Sequence, residues 1–485
     1  MTADDLRACG WKAVVDQAKK KDCFIYSHLF FAKAREAEEA NDQKGANALK
    51  LFGDVTSMAL KSEKTNEPFR PQMTTTNGRS AIPSDISDED LASLAALVPD
   101  IEDVELKCRI ADLLWVRKRD HKMAELAIDC YLTSAKQHEH PKNWLDTFHR
   151  IERTFRLAVQ LGKNAGHLEK VTAHIETVLA TYNGEDPLYL SNRLLGLLAE
   201  RRLGDPNRNA LLAEKLAQRA ETEGDWPRAQ THWQRKAEWD EINRDTEGRK
   251  RSQIRAAEAY VKLAEASISS MGGYLAATSH LEKGVEAYRR IGDNKERIDE
   301  LHKLLLSYQE KSLKEMATYS TPVDIEKEVE AARALVRGKS FIDSLLQLSI
   351  ILNPTRKENL RKEVEDSAKN FPLMYLITGV KVNEAGKVVG KKPGLLADNK
   401  GEYETAIEAH MFSEATSNQS FYAQSLVEPI RQQINAEHSY DINDFMPIVM
   451  NNPLIPQGRE VIYAQGLMSG LEGDFMQAMH LLIPH

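Results

Sequence analysis

Cysteine is scarce in this 485-residue chain, and no two cysteines have the spacing of a shared metal or redox site. The four cysteines, Cys9, Cys23, Cys108 and Cys130, lie far apart inside helical patterns, without a C-x-x-C pair. We therefore expect them to be small buried side chains in a protein of a reducing compartment.

Long apolar runs are absent as well. No stretch approaches the roughly 20 apolar residues that span a bilayer, since even the run from Phe341 to Leu352 is interrupted by Asp343 and Gln347. The N-terminus is acidic and lacks the charged-then-apolar order of a secretion signal. We expect a cytoplasmic protein with no membrane-bound part.

Excess positive charge and complete catalytic signatures are also missing. The formal net charge of −8 argues against a protein that coats nucleic acid through overall charge, although a local basic face could still bind phosphates. The chain contains no G-x-S-x-G, H-E-x-x-H or kinase signature. His138, Glu139 and His140 could each bind a metal, but consecutive side chains point in different directions. We predict no metal site, no cofactor and no catalytic residue.

The sequence pattern is mainly that of amphipathic helices. Its residues are 42% hydrophobic and 28% charged, and apolar side chains recur at helical spacing along most of its length. One helical pair follows another at a period of about 35 to 45 residues, which is typical of tetratricopeptide-like α-solenoids. The sequence predicts an all-α fold, an α-solenoid of tetratricopeptide-like helical hairpins, with one small β-hairpin near residues 376–390.

One helix-turn-helix phrase occurs twice, at residues 224–233 and 272–281. Each copy begins with Gly, places an aromatic residue two positions on, Ala five on, His eight on and a large apolar residue nine on. A looser copy lies at 473–481. Gly can end a helix in the left-handed conformation, and Ala allows the next helix to approach closely. The phrase therefore indicates stacked helical pairs.

The pattern divides the chain into five parts. They are N-terminal helices at 1–61, a flexible loop at 62–83, helical hairpins at 84–203, tetratricopeptide-like repeats at 204–370, and a C-terminal helical domain with the β-hairpin at 371–485.

Candidate binding residues gather in the repeat region. They are aromatic, basic or imidazole side chains that can stack on bases, grip a peptide or meet phosphates: Trp226, Trp233, Arg228, Arg235, Arg249, Lys250, Arg251, His232 and His280. A structural interpretation competes at each position and is the favoured one. The tryptophans can pack between repeats, the basic residues can form ion pairs on a solvated helix, and the histidines can lie at helix ends.

A resemblance concerns the C-terminal residues. The segment Asn452-Pro453-Leu454-Ile455-Pro456-Gln457-Gly458-Arg459, the run from Gly466 to Pro484 and the hairpin residues Glu384 to Val389 are similar to a mostly bacterial, largely uncharacterised family. Members have a long helical-repeat region followed by a HEPN-type domain with an Arg-Asn-x-x-x-His-Gly motif. A distant eukaryotic relative is named for endoplasmic-reticulum membrane-associated RNA degradation.

The resemblance implies a ribonuclease-associated role, with Arg stabilising the phosphate and His acting in acid/base catalysis. This chain ends before that motif, and Arg208-Asn209 is followed by Ala-Leu-Leu-Ala. We therefore expect a truncated or split protein.

Two functional hypotheses follow. The first is a non-catalytic helical-repeat scaffold that binds a protein or RNA partner. The second is the substrate-binding or regulatory part of a HEPN-type ribonuclease, in RNA processing or phage defence, whose catalytic helices lie elsewhere. A homodimer through residues 459–485 would cover apolar side chains near the end of the chain: Met468, Leu471, Phe475, Met479 and Leu482.

Overall fold

The computed structural model describes residues 1–75, 78–162, 166–270, 273–315, 324–351, 356–376, 378–383, 388–395 and 400–483. Helices dominate these residues, and helix follows helix along the chain. The predicted all-α helical-repeat fold is confirmed. The chain divides into two compact units, Met1–Lys311 and Ser312–His485.

Most helices up to residue 315 pack against the next helix in the chain, whereas the helices Ala3–Ala8 and Leu190–Arg201 pack mainly against helices that are not their sequence neighbours. Their bounds are α1 (Ala3–Ala8), α2 (Trp11–Asp16), α3 (Cys23–Glu39), α4 (Gln43–Ser57), α5 (Asp88–Leu97), α6 (Val104–Lys118), α7 (His121–Gln137), α8 (Trp144–Leu161), α9 (His167–Tyr182), α10 (Leu190–Arg201), α11 (Pro206–Thr222), α12 (Trp226–Ile242), α13 (Thr246–Ser267), α14 (Gly273–Ile291) and α15 (Lys295–Glu315).

The remaining helices belong to the second unit. Their bounds are α16 (Glu326–Ala334), α17 (Phe341–Ile351), α18 (Lys357–Asn370), α19 (Pro372–Leu376), α20 (Lys400–Tyr422), α21 (Glu428–Glu437), α22 (Ile442–Val449), α23 (Glu460–Glu472) and α24 (Phe475–Leu482). A single π-helical turn, Ala423–Val427, joins α20 to α21. This wider turn makes one continuous helical run from Lys400 to Glu437.

The predicted β-hairpin is confirmed by strands β5 (Gly379–Val382) and β6 (Val388–Lys392), which pair antiparallel. Its turn, at 384–387, lies outside the described residues. Two further ladders have strands of only two residues: β1 (Ala59–Leu60) with β2 (Phe69–Arg70), and β3 (Thr74–Thr75) with β4 (Gly78–Arg79). They fall mostly within the predicted loop, because strands this short carry no alternating pattern that a sequence could show.

A common turn joins several successive helices. Gly224 (φ 70°) and Arg244 (φ 61°) both take the left-handed conformation. The next residue in each turn, Asp225 or Asp245, donates its N–H to the carbonyl five residues back at 2.9 Å. Each Asp also accepts from the N–H three residues on, which caps the following helix. The same pair of features recurs at Asn41-Asp42 and Gly473-Asp474.

The apolar cores of the first unit follow one another along the chain. One spans Leu6 to Leu114, the next Cys108 to Trp239, and a third Ala257 to Tyr308. Ala229 and Ala277, the alanines of the repeated phrase, are both fully buried. Close helix approach at Ala is therefore confirmed. No helix in the described part of the chain is both long and apolar enough to cross a bilayer.

Candidate functional site

The two tryptophans of the first repeat copy pack between neighbouring helices. Trp233 is 5% exposed, its Nε1 donates to Glu221 at 2.8 Å, and the guanidinium of Arg255 lies 5.0 Å from its ring centroid. Trp226 packs against a cluster of three buried alanines on α11, α12 and α13. Both rings hold repeats together in this structure.

Arg228 and Arg235, which lie between and after these rings, make different contacts. Arg228 is buried, donates to the carbonyl of Pro187 and pairs with Glu223. Arg235 pairs with Glu238 and lies against Gly196, where a Cβ atom would approach its Nη2 to 2.7 Å. Gly196 therefore makes room for the Arg235 guanidinium.

The basic run at the start of α13 is largely ion-paired. Arg249 lies 3.4 Å from Glu241, and Lys250 lies 3.3 Å from Asp293. Arg251 is exposed and has no ion pair within the described residues. These three side chains do not converge on one point of the surface.

The repeat histidines are neutral packing residues. His232 is 1% exposed, and its pKa is lowered to about 3, mainly by burial and in addition by the nearby Arg228 and Arg235 guanidinium groups. His280 is half-buried, and burial again is the main cause of its lowered pKa. The Nδ1 atom of each ring has no hydrogen-bond partner.

Two adjoining depressions form a groove on these helices. The first, of about 520 Å³, lies among α8, α10 and α12. The second, of about 420 Å³, lies among α12, α13 and α14. Glu238 and Glu241 line both. We call this continuous surface the repeat groove; of the candidate residues above, it contains Arg235 and Arg249.

The repeat groove is polar and close to electrically neutral. Five arginines face four glutamates: Arg193, Arg202, Arg235, Arg249 and Arg290 against Glu152, Glu200, Glu238 and Glu241. Three glutamines, Gln230, Gln234 and Gln253, line its second half with Tyr260. The buried Nε2 of Gln230 has no hydrogen-bond partner, so one amide donor in the groove is unsatisfied.

Sequence reasoning missed most of these groove residues. It favoured aromatic and basic clusters, whereas the groove is built from side chains one helical turn apart on separate helices. Gln230 with Gln234, and Arg249 with Gln253, have that spacing, and Tyr260 lies two turns after Gln253 on the same helix. The spacing of these side chains can be read within each helix, but only the packed structure shows which helices contribute to the same surface.

One histidine–serine–carboxylate arrangement involves Glu152, one of the glutamates that line the groove. The Oγ of Ser62 donates to Glu152 at 2.7 Å and lies 2.8 Å from Nδ1 of His149. Because its proton goes to Glu152, Ser62 accepts from the His149 ring, which is opposite to the arrangement that activates a serine. Ser62 is also fully buried. The three residues form a structural bridge.

His138, which was considered as a metal ligand, lies among backbone carbonyls. Both ring nitrogens of His138 contact backbone carbonyls, of Ser134 at 2.8 Å and Lys21 at 2.6 Å. Across the described residues, no three His, Cys, Asp or Glu side chains are grouped as a metal site.

At the C-terminal end, Phe475 and Met479 are 55% and 56% exposed. Leu471 is buried, and Met468 and Leu482 are half-buried. Of the five apolar residues proposed for a dimer, two are therefore open to a partner.

The fold and the repeat groove define an all-α helical-repeat protein. Residues 1–170 match a family described as a domain of unknown function (DUF7380). No curated protein matches the chain. The family match covers α1 to α8 and the start of α9, whereas most of the groove lies on α10 to α14.

Proposed function

We propose that the protein is a non-catalytic, tetratricopeptide-like scaffold whose repeat groove binds an extended segment of a partner protein. The observation that carries this proposal is the row of glutamines along the second half of a polar groove, Gln230, Gln234 and Gln253. A peptide backbone offers a row of carbonyl and N–H groups, and glutamine side chains can both donate to and accept from them.

The charge of the groove favours a polypeptide over RNA. Binding to a phosphate backbone is driven by an excess of Lys and Arg, which release counterions. Here the arginines and glutamates nearly balance, and Arg235 and Arg249 are already paired with Glu238 and Glu241. RNA would meet about as many carboxylates as guanidinium groups.

Arg193 and Arg202 give the groove a preference for an acidic side chain in its partner. Both are exposed, and neither forms an ion pair within the part of the chain that the structure describes. Since a free guanidinium pairs strongly with a carboxylate, we expect the bound segment to carry an acidic side chain at this end of the groove.

Selection of peptides from a random library by the full chain tests the proposal. We expect acidic peptides whose affinity, measured by fluorescence anisotropy, falls about tenfold in Arg193→Glu. The matched control is Arg208→Glu on α11, an exposed arginine outside the groove, which should bind as wild type does. Failure to enrich any peptide, or equal loss in both variants, would refute the groove as the binding surface.

The RNA-processing alternative remains a proposal that rests on the C-terminal resemblance. A labelled single-stranded RNA in the same anisotropy assay separates it from the first proposal. Salt-dependent RNA binding that Arg193→Glu abolishes would favour RNA as the partner. We place either activity in the cytoplasm, since four free cysteines, three of them buried, suit a reducing compartment.

A second proposal concerns self-association through α24. Phe475, Met476, Met479 and Ile483 lie within one face at the end of the chain and are all more than half exposed. Apolar side chains grouped in this way mark interaction surfaces. We expect a dimer by sedimentation velocity that Met479→Glu dissociates, with Glu472→Lys on the neighbouring helix as the control. A monomer at all concentrations would contradict this proposal.

A further inference from the structure

Positive charge collects at one end of the stacked repeats. Helices α10 to α15 alternate in direction, so the turns after α10, α12 and α14 lie at the same end of the stack. The Nδ2 of Asn243, in the second of these turns, donates to the carbonyl of Pro206, beside the first, at 3.2 Å. Lys250, just after the second turn, lies 3.3 Å from Asp293 of the third. The three turns therefore form one continuous surface.

Seven cations on this surface are exposed and have no ion pair within the part of the chain that the structure describes. We call them the basic edge: Arg201, Arg202 and Arg208 at the first turn, Arg244 and Arg251 at the second, and Arg289 and Lys295 at the third. Arg202 also lines the repeat groove, whereas the other six lie outside it. The basic edge is therefore a separate surface that meets the groove at Arg202.

Fewer carboxylates belong to the same turns, and several of them are engaged. Asp205 and Asp245 each accept backbone N–H groups as helix caps, and Asp293 pairs with Lys250. The remaining cations of these turns, Arg249 and Arg290, pair with Glu241 and Glu286. In residues 201–208, 243–251 and 289–296, seven unpaired cations thus stand against four carboxylates without an ion pair: Asp205, Asp245, Glu247 and Glu296. This local excess is positive in a chain whose formal net charge is −8.

The opposite end of these helices has the reverse charge. Its turns at 183–189 and 223–225 contain no Lys or Arg, and they carry four carboxylates: Glu185, Asp186, Glu223 and Asp225. The two ends of the repeats therefore differ in sign.

Two arginines of the basic edge have a costly backbone conformation. Arg202 (φ 53°) and Arg244 (φ 61°) are left-handed, where a residue with a Cβ atom is less stable than Gly. At the acidic end, Gly224 (φ 70°) has the corresponding position. Backbone strain of this kind is concentrated at functional sites, so these two arginines indicate a role beyond folding.

The side chains of the basic edge limit the kind of partner. Residues 201–208, 243–251 and 289–296 contain no aromatic residue, and none of their large apolar side chains is exposed. A protein partner would find no apolar anchor there, and a single-stranded nucleic acid would find no ring on which its bases could stack. Binding at this surface therefore depends on charge.

Charge density favours a nucleic-acid duplex. Because α10 packs against α12 and packed helices lie about 8–10 Å apart, the three turns form a row of about 20 Å. Over that length a duplex carries about 12 phosphates, whereas an extended acidic peptide carries at most about six carboxylates. We propose that the basic edge binds double-stranded nucleic acid through its phosphates, independently of base sequence and of the partner in the repeat groove.

Fluorescence anisotropy of the full chain with labelled duplexes of about 20 base pairs tests the proposal. We expect a Kd of about 10 μM at about 50 mM salt, and a slope of log affinity against log salt concentration of about −4. Separate DNA and RNA duplexes show which of the two supplies the phosphates, and binding of either supports the proposal. No binding of either duplex, or tighter binding of a single strand or of polyglutamate, would refute it.

Two double variants locate the surface. Arg208→Gln with Arg244→Gln removes two charges of the basic edge, so we expect affinity to fall about tenfold and the salt slope to weaken by about 2. Arg193→Gln with Lys262→Gln is the matched control. It removes two charges as well, one in the repeat groove and one near the other end of α13, and should bind the duplex as wild type does.

All four substituted side chains are exposed, and circular dichroism checks that both variants are folded. Equal loss of duplex binding in the two double variants, or loss in the control alone, would overturn the basic edge as the binding surface.

Discussion

Residues 1–170 and residues 190–311 are both built from packed helices, yet different interactions hold them together. In the first region, the guanidinium of Arg153 donates to Asp112 at 2.7 and 2.8 Å, and both side chains are completely buried. In the second region each described ion pair leaves at least one partner partly exposed, as between Lys236 and Asp240, and several are exposed on both sides, as between Lys262 and Glu265. Small side chains such as Ala257 fill the helix contacts there.

The difference separates two ways of specifying a fold. A helix contact made by Ala and Leu needs only the right periodicity, so it can be repeated along a chain and read from its sequence. A buried ion pair needs one particular partner, because either charge alone would be strongly destabilising. The first region therefore has a unique interior, and the second has a repeated surface with a groove.

The largest expected effect comes from breaking the buried pair. Asp112→Asn leaves Arg153 buried without a counter-charge, so we expect the free energy of unfolding to fall by about 3–5 kcal/mol. Urea denaturation followed by circular dichroism measures it. The control in the other region is Glu265→Gln, whose exposed pair should change stability by about 0.5 kcal/mol or less. Equal losses in the two variants would remove the distinction between the regions.

A core truncation in the repeats should act locally. Leu281 is fully buried on α14, and Leu281→Ala should lower the free energy of unfolding by about 2–4 kcal/mol. Because each repeat contacts mainly its neighbours, we expect faster hydrogen exchange only in α13 to α15. Leu275→Ala, at a 39% exposed position on the same helix, is the control. Faster exchange throughout residues 1–170 would show that the regions are not independent.

The buried histidine of the repeats predicts a pH dependence. Burial lowers the pKa of His232 from its ordinary 6.5 to about 3, so between these values the unfolded chain binds a proton that the folded chain does not. The contribution of the neutral His232 ring to the free energy of unfolding is complete above pH 6.5 and is lost as the pH falls toward 3. The free energy of unfolding of the wild type should therefore fall by about 2 kcal/mol through this ring when the pH is lowered from 7 to 5. His232→Gln should not show this part of the fall.

Urea denaturation at the two pH values gives that difference. His28→Gln, at an exposed position of the first region, is the matched control. A pH dependence that His232→Gln leaves unchanged would mean that this ring has the same pKa in the folded and the unfolded chain.

The smallest effect concerns the common turn. Gly224→Ala places a side chain at φ 70° and should destabilise the protein by about 1 kcal/mol. Arg244→Gly removes the side chain from a left-handed residue at φ 61° and should stabilise the protein by a similar or smaller amount. Thermal unfolding of the two variants shows opposite shifts in Tm if the turns are equivalent. Shifts of the same sign would mean that the two turns differ.

Sequence reasoning succeeded where periodicity determines structure. It predicted helical pairs along most of the chain and close helix packing at the alanines of the repeated phrase, because both depend on spacing along one helix. It did not predict the pair of Arg153 with Asp112, which are 41 residues apart, or the turn at Arg244, where no Gly marks the left-handed residue. It also missed the groove, since Arg193 and Glu238 line one surface only when α10 and α12 pack side by side.

Photocrosslinking tests the central claim, that the repeat groove is the partner-binding surface. Benzoylphenylalanine would replace Gln234, which lines the groove on α12, or Gln218, which is exposed on α11 outside it. Irradiation with a peptide selected by the full chain should crosslink that peptide at position 234 and not at position 218. Crosslinking at 218 alone, or equally at both positions, would contradict the claim.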